Sequence, residues 1–358
     1  MSGAIAGTPE LTRWERFTTA LQVIALRVSL WFSPRPTALA FRRIFAELTA
    51  ERASQQLADA PKDVLAALDQ SYDNHPDCKL DVYLPGSATA SEASLPVVVW
   101  IHGGAFVGGT KDELGGYLRM LASHGFVVVA PRYSLAPEST YPVPLRQLMA
   151  VLSWLGANAE RFHMDANRIV LAGDSAGAQL SAQLATLLTN PAYADAVGIP
   201  PSIAATRLRG VALCSGIYDL SSLSDDSQLR SLFTAVGWAY SGTRDYRKNA
   251  GFQGTFSVLE HVTAAFPPTF ITVGNADPIR LQTQALTVAL IEAGVDIETL
   301  FYPEDHEPPL PHEYQFELEL EDARIAFTRL VDFFERATTP AEGATLPGMS
   351  AKPRSLAP

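Results

Sequence analysis

Past residue 79 the chain alternates between short apolar runs and stretches whose apolar positions recur every three or four residues. The runs at 96–101, 126–130, 168–172, 211–214 and 269–273 are almost free of polar residues, the pattern of strands covered on both faces. Residues 80–84 (Leu-Asp-Val-Tyr-Leu) alternate at period two and predict an early antiparallel strand, and a final strand is expected at 297–302. Helical spacing occupies 114–124, 144–155, 178–189, 282–293 and 318–334, with Gly125 and Gly294 standing where helix stops belong. Such alternation is the signature of βαβ units. An α/β fold is predicted, with a mostly parallel central sheet and helices on both faces.

Two stretches fall outside the alternation. Between residues 11 and 32, Trp14, Phe17, Leu21, Ile24, Val28 and Trp31 share one helix face, and the helix is expected to stop near Pro34 and Pro36. That face either packs on the rest of the protein or makes a peripheral membrane contact. The segment is too short and interrupted to span a bilayer, and Glu10, Glu15 and Arg27 spoil it as a secretory signal. Residues 221–262 read as an insertion after the strand at 211–214. The expected organisation is N-terminal cap helices in 1–50, a core in 51–336 carrying a cap insertion at about 221–262, and a disordered tail at 337–358, where Pro, Gly, Ala, Ser and Thr dominate.

Composition narrows the chemistry. Hydrophobic residues make up 47% of the chain and charged ones 18%, enough apolar material for a sizeable core. A formal net charge of −11 argues against nucleic acid as a partner and fits an uncharged or weakly polar small molecule. Cys78 and Cys214 are the only cysteines, too few for a disulfide framework or a four-cysteine zinc site, so a reducing, cytoplasmic setting is expected. No metal, nucleotide or flavin motif is present, and no cofactor is expected.

The segment 168–177 runs from an apolar strand through Gly173-Asp174-Ser175-Ala176-Gly177 into a helical pattern. A serine hydroxyl is a weak nucleophile unless a base reaches it, and a sharp strand-to-helix turn presents it; the flanking glycines relieve the crowding of that turn. A second motif, His102-Gly103-Gly104-Ala105-Phe106, follows the strand at 96–101. Small residues let backbone N–H groups approach the oxyanion of a tetrahedral intermediate, so Gly103, Gly104 and Ala105 are expected donors from one side and Ala176 from the other. His102 precedes these donors and is expected to hold the loop rather than act as a base.

These two motifs, with Tyr133-Ser134-Leu135-Ala136-Pro137-Glu138 and Tyr141-Pro142 between them, resemble the hormone-sensitive-lipase-like family of α/β-hydrolase carboxylesterases over about residues 80–336. Three departures stand out. Ala105 replaces a third glycine, Arg132 and Ser134 replace the usual Asp and Arg around the tyrosine, and Ala178 follows Gly177 where a further glycine is common.

The chain order on this fold is Ser, then Asp or Glu, then His. Asp277, in Gly274-Asn275-Ala276-Asp277-Pro278, resembles the family's Asp-Pro acid and is favoured over Asp219, which follows the strand at 211–214. For the base, His312 has an aromatic residue two positions on, as in the family's His-x-Phe, and is favoured over His306, which is then a solvated loop histidine. His75, His124, His163 and His261 are expected to be structural. Phe106, Phe233, Trp238 and Tyr240 are candidates for an apolar pocket under the cap.

The resemblance implies hydrolysis of short to medium acyl esters of small molecules through an acyl-enzyme. A lipase, amidase or lactonase would use the same residues. A non-catalytic small-molecule receptor is disfavoured, because receptors resembling this family have typically lost the catalytic histidine and this chain keeps both candidates. A homodimer through exposed sheet edges is compatible with the fold.

Overall fold

In the computed structural model, which describes residues 29–90, 93–219 and 230–339, the chain runs α1 (Arg35–Asp59), β1 (Val64–Ser71), β2 (Lys79–Pro85), β3 (Leu95–Ile101), α2 (Gly115–Ala122), β4 (Val127–Pro131), α3 (Val143–Ala157) and β5 (Met164–Asp174). It continues through α4 (Ala176–Thr189), α5 (Pro191–Val197), β6 (Leu208–Cys214), α6 (Arg230–Ser241), α7 (Ala250–Phe256), β7 (Thr269–Val273), α8 (Arg280–Glu292), β8 (Ile297–Phe301) and α9 (Glu321–Thr338). The strands form one eight-stranded sheet in the order β1-β2-β4-β3-β5-β6-β7-β8. β1, β2 and β4 pair antiparallel, and all pairings from β4 through β3 to β8 are parallel.

The apolar run of β3 has a simple cause. Val97, Val99 and Ile101 face one core layer, with Leu148 and Leu152 of α3 and Leu180 and Leu184 of α4. Val98 and Trp100 face the other, with Leu118 and Leu121 of α2 and Leu330 and Phe334 of α9. A strand buried on both sides has no place for polar residues. α4 is buried from Ala176 through Leu188, which is why it is apolar on all sides rather than amphipathic.

The expected fold class holds, and the differences lie at its margins. β1 carries no apolar run or clean alternation, with Leu65 and Leu68 exposed, and only its pairing with β2 makes it a strand. Pro36 stands in the first turn of α1, and α1 continues to Asp59, past the expected boundary at residue 50. α9 likewise includes Ala337 and Thr338. The predicted helix face at Trp14, Phe17, Leu21, Ile24 and Val28, the first part of the cap insertion at 220–229 and the tail from 340 lie outside the described residues. Among the described residues no helix is long and apolar enough to cross a membrane.

β3 sends the chain to β4 on one side, while β5 pairs on its other side. Loops leaving the carboxyl ends of two such strands diverge and open a crevice, where α/β sheets place their ligands. The segments 102–106 and 174–177 leave the sheet at this point.

Candidate active site

β5 ends at Asp174 and α4 begins at Ala176, so Ser175 alone makes the turn, at φ 49° and ψ −114°. Such a conformation costs on the order of 1–3 kcal/mol and persists only where packing enforces it. Packing does so here. Ser175 N–H donates to the Cys214 carbonyl at 2.8 Å. A Cβ at Gly177 would collide with the Ile101 carbonyl, and one at Gly173 would lie 2.6 Å from the Gly177 backbone. Only glycines let β3, β5 and α4 meet this closely.

His312 Nε2 stands 3.0 Å from Ser175 Oγ, and His312 Nδ1 stands 2.8 Å from Asp277 Oδ2. Asp277 has no exposed side-chain surface and also accepts from the Ile279 amide at 2.8 Å. The loops carrying the two residues are knitted together. Asn275 accepts from Leu310 N–H at 2.8 Å and donates to the His306 carbonyl at 3.0 Å, and Ala276 N–H donates to the Leu310 carbonyl at 3.0 Å. Tyr314, two residues past His312, is fully buried with its hydroxyl 2.6 Å from Thr272 Oγ1. It anchors the loop as a buried aromatic would, with a polar tip satisfied. Burial opposes a charged His312, but the Asp277 carboxylate outweighs it, helped by Glu313 and Asp174, and raises the pKa to about 9.

On the opposite side, the amides of Gly104, Ala105 and Ala176 donate to no protein acceptor among the described residues. Unpaired amides at the start of a buried helix and in a tight loop suit an oxyanion. Gly103 does not belong with them. Its N–H donates to Asp174 Oδ2 at 2.7 Å, which corrects the expectation that it is a fourth donor: the aspartate inside the Gly-x-Ser-x-Gly turn consumes that amide. His102 holds the loop as expected, donating from Nδ1 to the Gly103 carbonyl at 2.8 Å and stacking on Tyr133 at 4.4 Å between centroids. Burial lowers its pKa to about 4, so it is neutral.

A family model described as alpha/beta hydrolase fold matches residues 98–307. The chain belongs to the hormone-sensitive-lipase-like family of α/β-hydrolases. It is similar to carboxylesterase NlhH of Mycobacterium tuberculosis, with 31% identity over 249 residues, 68% of this chain and 73% of that protein. It is also similar to an acetyl esterase of Salmonella choleraesuis, with 28% identity over 223 residues, 59% of this chain and 64% of that protein. In fold it resembles esterase B from Lactobacillus rhamnosis, with a TM-score of 0.73 and 23% identity, covering 84% of this chain and 96% of that one.

Measured against the family pattern, the three departures have physical consequences. Ala105 adopts φ 54°, a left-handed conformation that a glycine would take without strain. Arg132 and Ser134 both meet Asp77, at 2.8 and 2.9 Å, so a distant carboxylate supplies the ion pair that the motif itself lacks. Ala178 is fully buried and does not line the cavity at Ser175.

Ser175 opens into a cavity of about 390 Å³ lined by Phe45, Leu48, Thr49 and Arg52 of α1, Leu232, Phe233 and Val236 of α6, and Phe106, Ile217 and Ile279. Phe106 and Phe233 stand where the sequence suggested. Trp238 and Tyr240 do not line it: Trp238 is five residues past Phe233, about 140° around the axis, and lies under Arg244 at 5.6 Å, whereas Tyr240 shares the face of Phe233 but lies two turns further along, behind Phe106. Tyr240 stacks on the outer face of Phe106 at 4.1 Å. His306 is no solvated loop residue either; its Nε2 is 2.9 Å from Asp322 Oδ2 and its ring packs on Tyr302. Asp219 is not a partner of His312; its amide donates to Gln282 Oε1 at 2.8 Å and it borders a separate cavity beside His261.

Several contributing residues carry no sequence signal. Arg42 of α1 donates to the Val107 carbonyl at 2.5 Å, the Ala136 carbonyl at 2.8 Å and Glu138 at 2.6 Å, fastening α1 over the loop that follows β3. Asn275, Asp174 and Glu313 are likewise visible only once the loops are folded against each other.

Proposed function

We propose that this chain is a serine carboxylesterase acting on short to medium acyl esters of uncharged small molecules through an acyl-enzyme. The observation that carries this reading is the continuous path from Asp277 through His312 to Ser175, facing unpaired amides across an apolar cavity. His312 takes the Ser175 proton as Oγ attacks the ester carbonyl. The amides of Gly104, Ala105 and Ala176 receive the oxyanion, and His312 then returns the proton to the leaving alcohol. Water repeats the sequence on the acyl-enzyme. Asp277 holds Nδ1–H and stabilises the imidazolium while it exists.

The similar proteins named carboxylesterase and acetyl esterase support an ester as substrate. The cavity size favours small esters over long acyl chains, and its wall, contributed by α1 and α6, supports reading these helices as a cap over the core. The buried free thiols of Cys78 and Cys214 support a reducing location. The test is hydrolysis of p-nitrophenyl esters from acetate to palmitate. Turnover that peaks at short chains and vanishes in Ser175→Ala is expected; turnover that rises toward palmitate would make the protein a lipase, and none at all would leave a ligand-binding protein.

A further inference from the structure

Of the acidic groups in the cavity wall that the triad and the oxyanion amides leave unassigned, Asp174 and Glu313 lie nearest the loop at Gly103. Asp174 is buried and accepts from Trp100 Nε1 at 2.8 Å through Oδ1 and from Gly103 N–H at 2.7 Å through Oδ2. Glu313 follows His312 in the left-handed conformation, φ 59°, with its N–H on Ser215 Oγ at 3.3 Å and its Oε1 3.7 Å from His312 Nε2. The two carboxyl groups converge beside Gly103 and act on each other electrostatically. Both press on one spot: a Cβ at Gly103 would collide with Asp174 Oδ2 and lie 2.8 Å from Glu313 Oε1. Ionised carboxylates only accept, so a bond between two of them requires a proton on one.

We propose that Asp174 and Glu313 share one proton and clasp the oxyanion loop to the base, making the pair a positioning unit for the ester hydrolysis proposed above, on which this inference rests. One end of the clasp holds Gly103, directly before the oxyanion amides of Gly104 and Ala105. The other end is the neighbour of His312 in the chain. Burial pushes the Asp174 carboxyl well above the usual carboxylate range, and the Glu313 charge adds to it. Both effects favour a proton held at the Asp174 end of the clasp. His312 and Glu113 also face it, with Arg52 acting on Glu113. Tyr117, Tyr133 and Cys214 face it from the core, and burial holds all three neutral. Loss of the shared proton sets two carboxylates against each other, drives Glu313 away and unseats His312.

The test compares wild type with Glu313→Gln, which keeps a donor for Asp174 but has no proton to lose. kcat/KM for p-nitrophenyl butyrate is measured from about pH 6 to about pH 11, over the range in which circular dichroism shows the fold intact. The Trp100 indole N–H resonance, assigned with Trp100→Phe, is followed in parallel and reports the Asp174 end without needing turnover. In wild type an alkaline loss of activity is expected, at least tenfold, at the pH where the indole resonance shifts. In Glu313→Gln both are expected to vanish while the acid-side midpoint stays in place, because the net charge of the pair is unchanged. An equal alkaline loss in both proteins, or a flat indole resonance in wild type, overturns the clasp. If no ester is turned over yet the indole titrates in wild type and not in the variant, the clasp stands and the esterase reading falls.

Discussion

His312 Nε2 lies 3.0 Å from Ser175 Oγ although 137 residues separate the two in the chain. Two loops leaving different strands create that distance. Ser175 is held by the turn between β5 and α4, and His312 by the loop after β8, itself tied to the loop after β7 through Asn275. Neither loop alone fixes the geometry.

The first consequence is a pH profile. In the proposed mechanism the imidazole must be neutral to accept the serine proton, so with a pKa raised to about 9 kcat/KM is expected to fall as pH drops through about 9. Asp277→Asn removes the charge chiefly responsible for the rise. Its midpoint is expected to move to lower pH and its kcat to fall by about 10⁴, because the productive tautomer is also lost. An acid-side midpoint that does not move in Asp277→Asn would contradict this assignment of the acid.

The two histidines of the last loop should separate cleanly. His312→Ala is expected to lower kcat by about 10³ or more. His306→Ala breaks a partly buried contact with Asp322 and is expected to cost about 1 kcal/mol of stability, read by urea unfolding, with kcat close to wild type. Equal losses of kcat in both variants would show that the loop, rather than His312 itself, is what matters.

Cavity shape predicts a chain-length preference. Phe233 borders the cavity and Trp238 does not. Phe233→Ala is expected to raise the octanoate-to-butyrate ratio of kcat/KM by about tenfold, the effect of one further methylene accommodated by the apolar wall, worth about 1–3 kcal/mol. Trp238→Ala is expected to leave the ratio alone. A change caused by Trp238→Ala and absent in Phe233→Ala would refute the assignment of α6 to the cavity wall.

Much of the fold was legible because β3, β5, β6 and β7 are buried on both faces and so must be written in apolar residues. β1 was not, because Val64–Ser71 draws its strand character from the backbone of β2 and not from its own side chains. At the site, Gly-x-Ser-x-Gly and His-Gly-Gly-Ala announce themselves by the close approach they permit, and Asp277 and His312 by their order and neighbours. The sequence did not disclose which amides stay free. That depends on Asp174 Oδ2 pointing at Gly103, a contact across 71 residues. Nor could it phase α6 well enough to separate Phe233 from Trp238, since both sit in one apolar run and only the neighbouring core decides which faces the cavity.

The most direct test of the account is covalent: reaction with a serine-directed phosphonate, followed by intact mass and peptide mapping, in wild type, Ser175→Ala and His312→Ala. The account predicts one phosphonyl group per chain on Ser175, none in Ser175→Ala, and labelling slowed by about 10³ in His312→Ala. Label on another residue, or none while esters are still hydrolysed, would contradict Ser175 as the nucleophile.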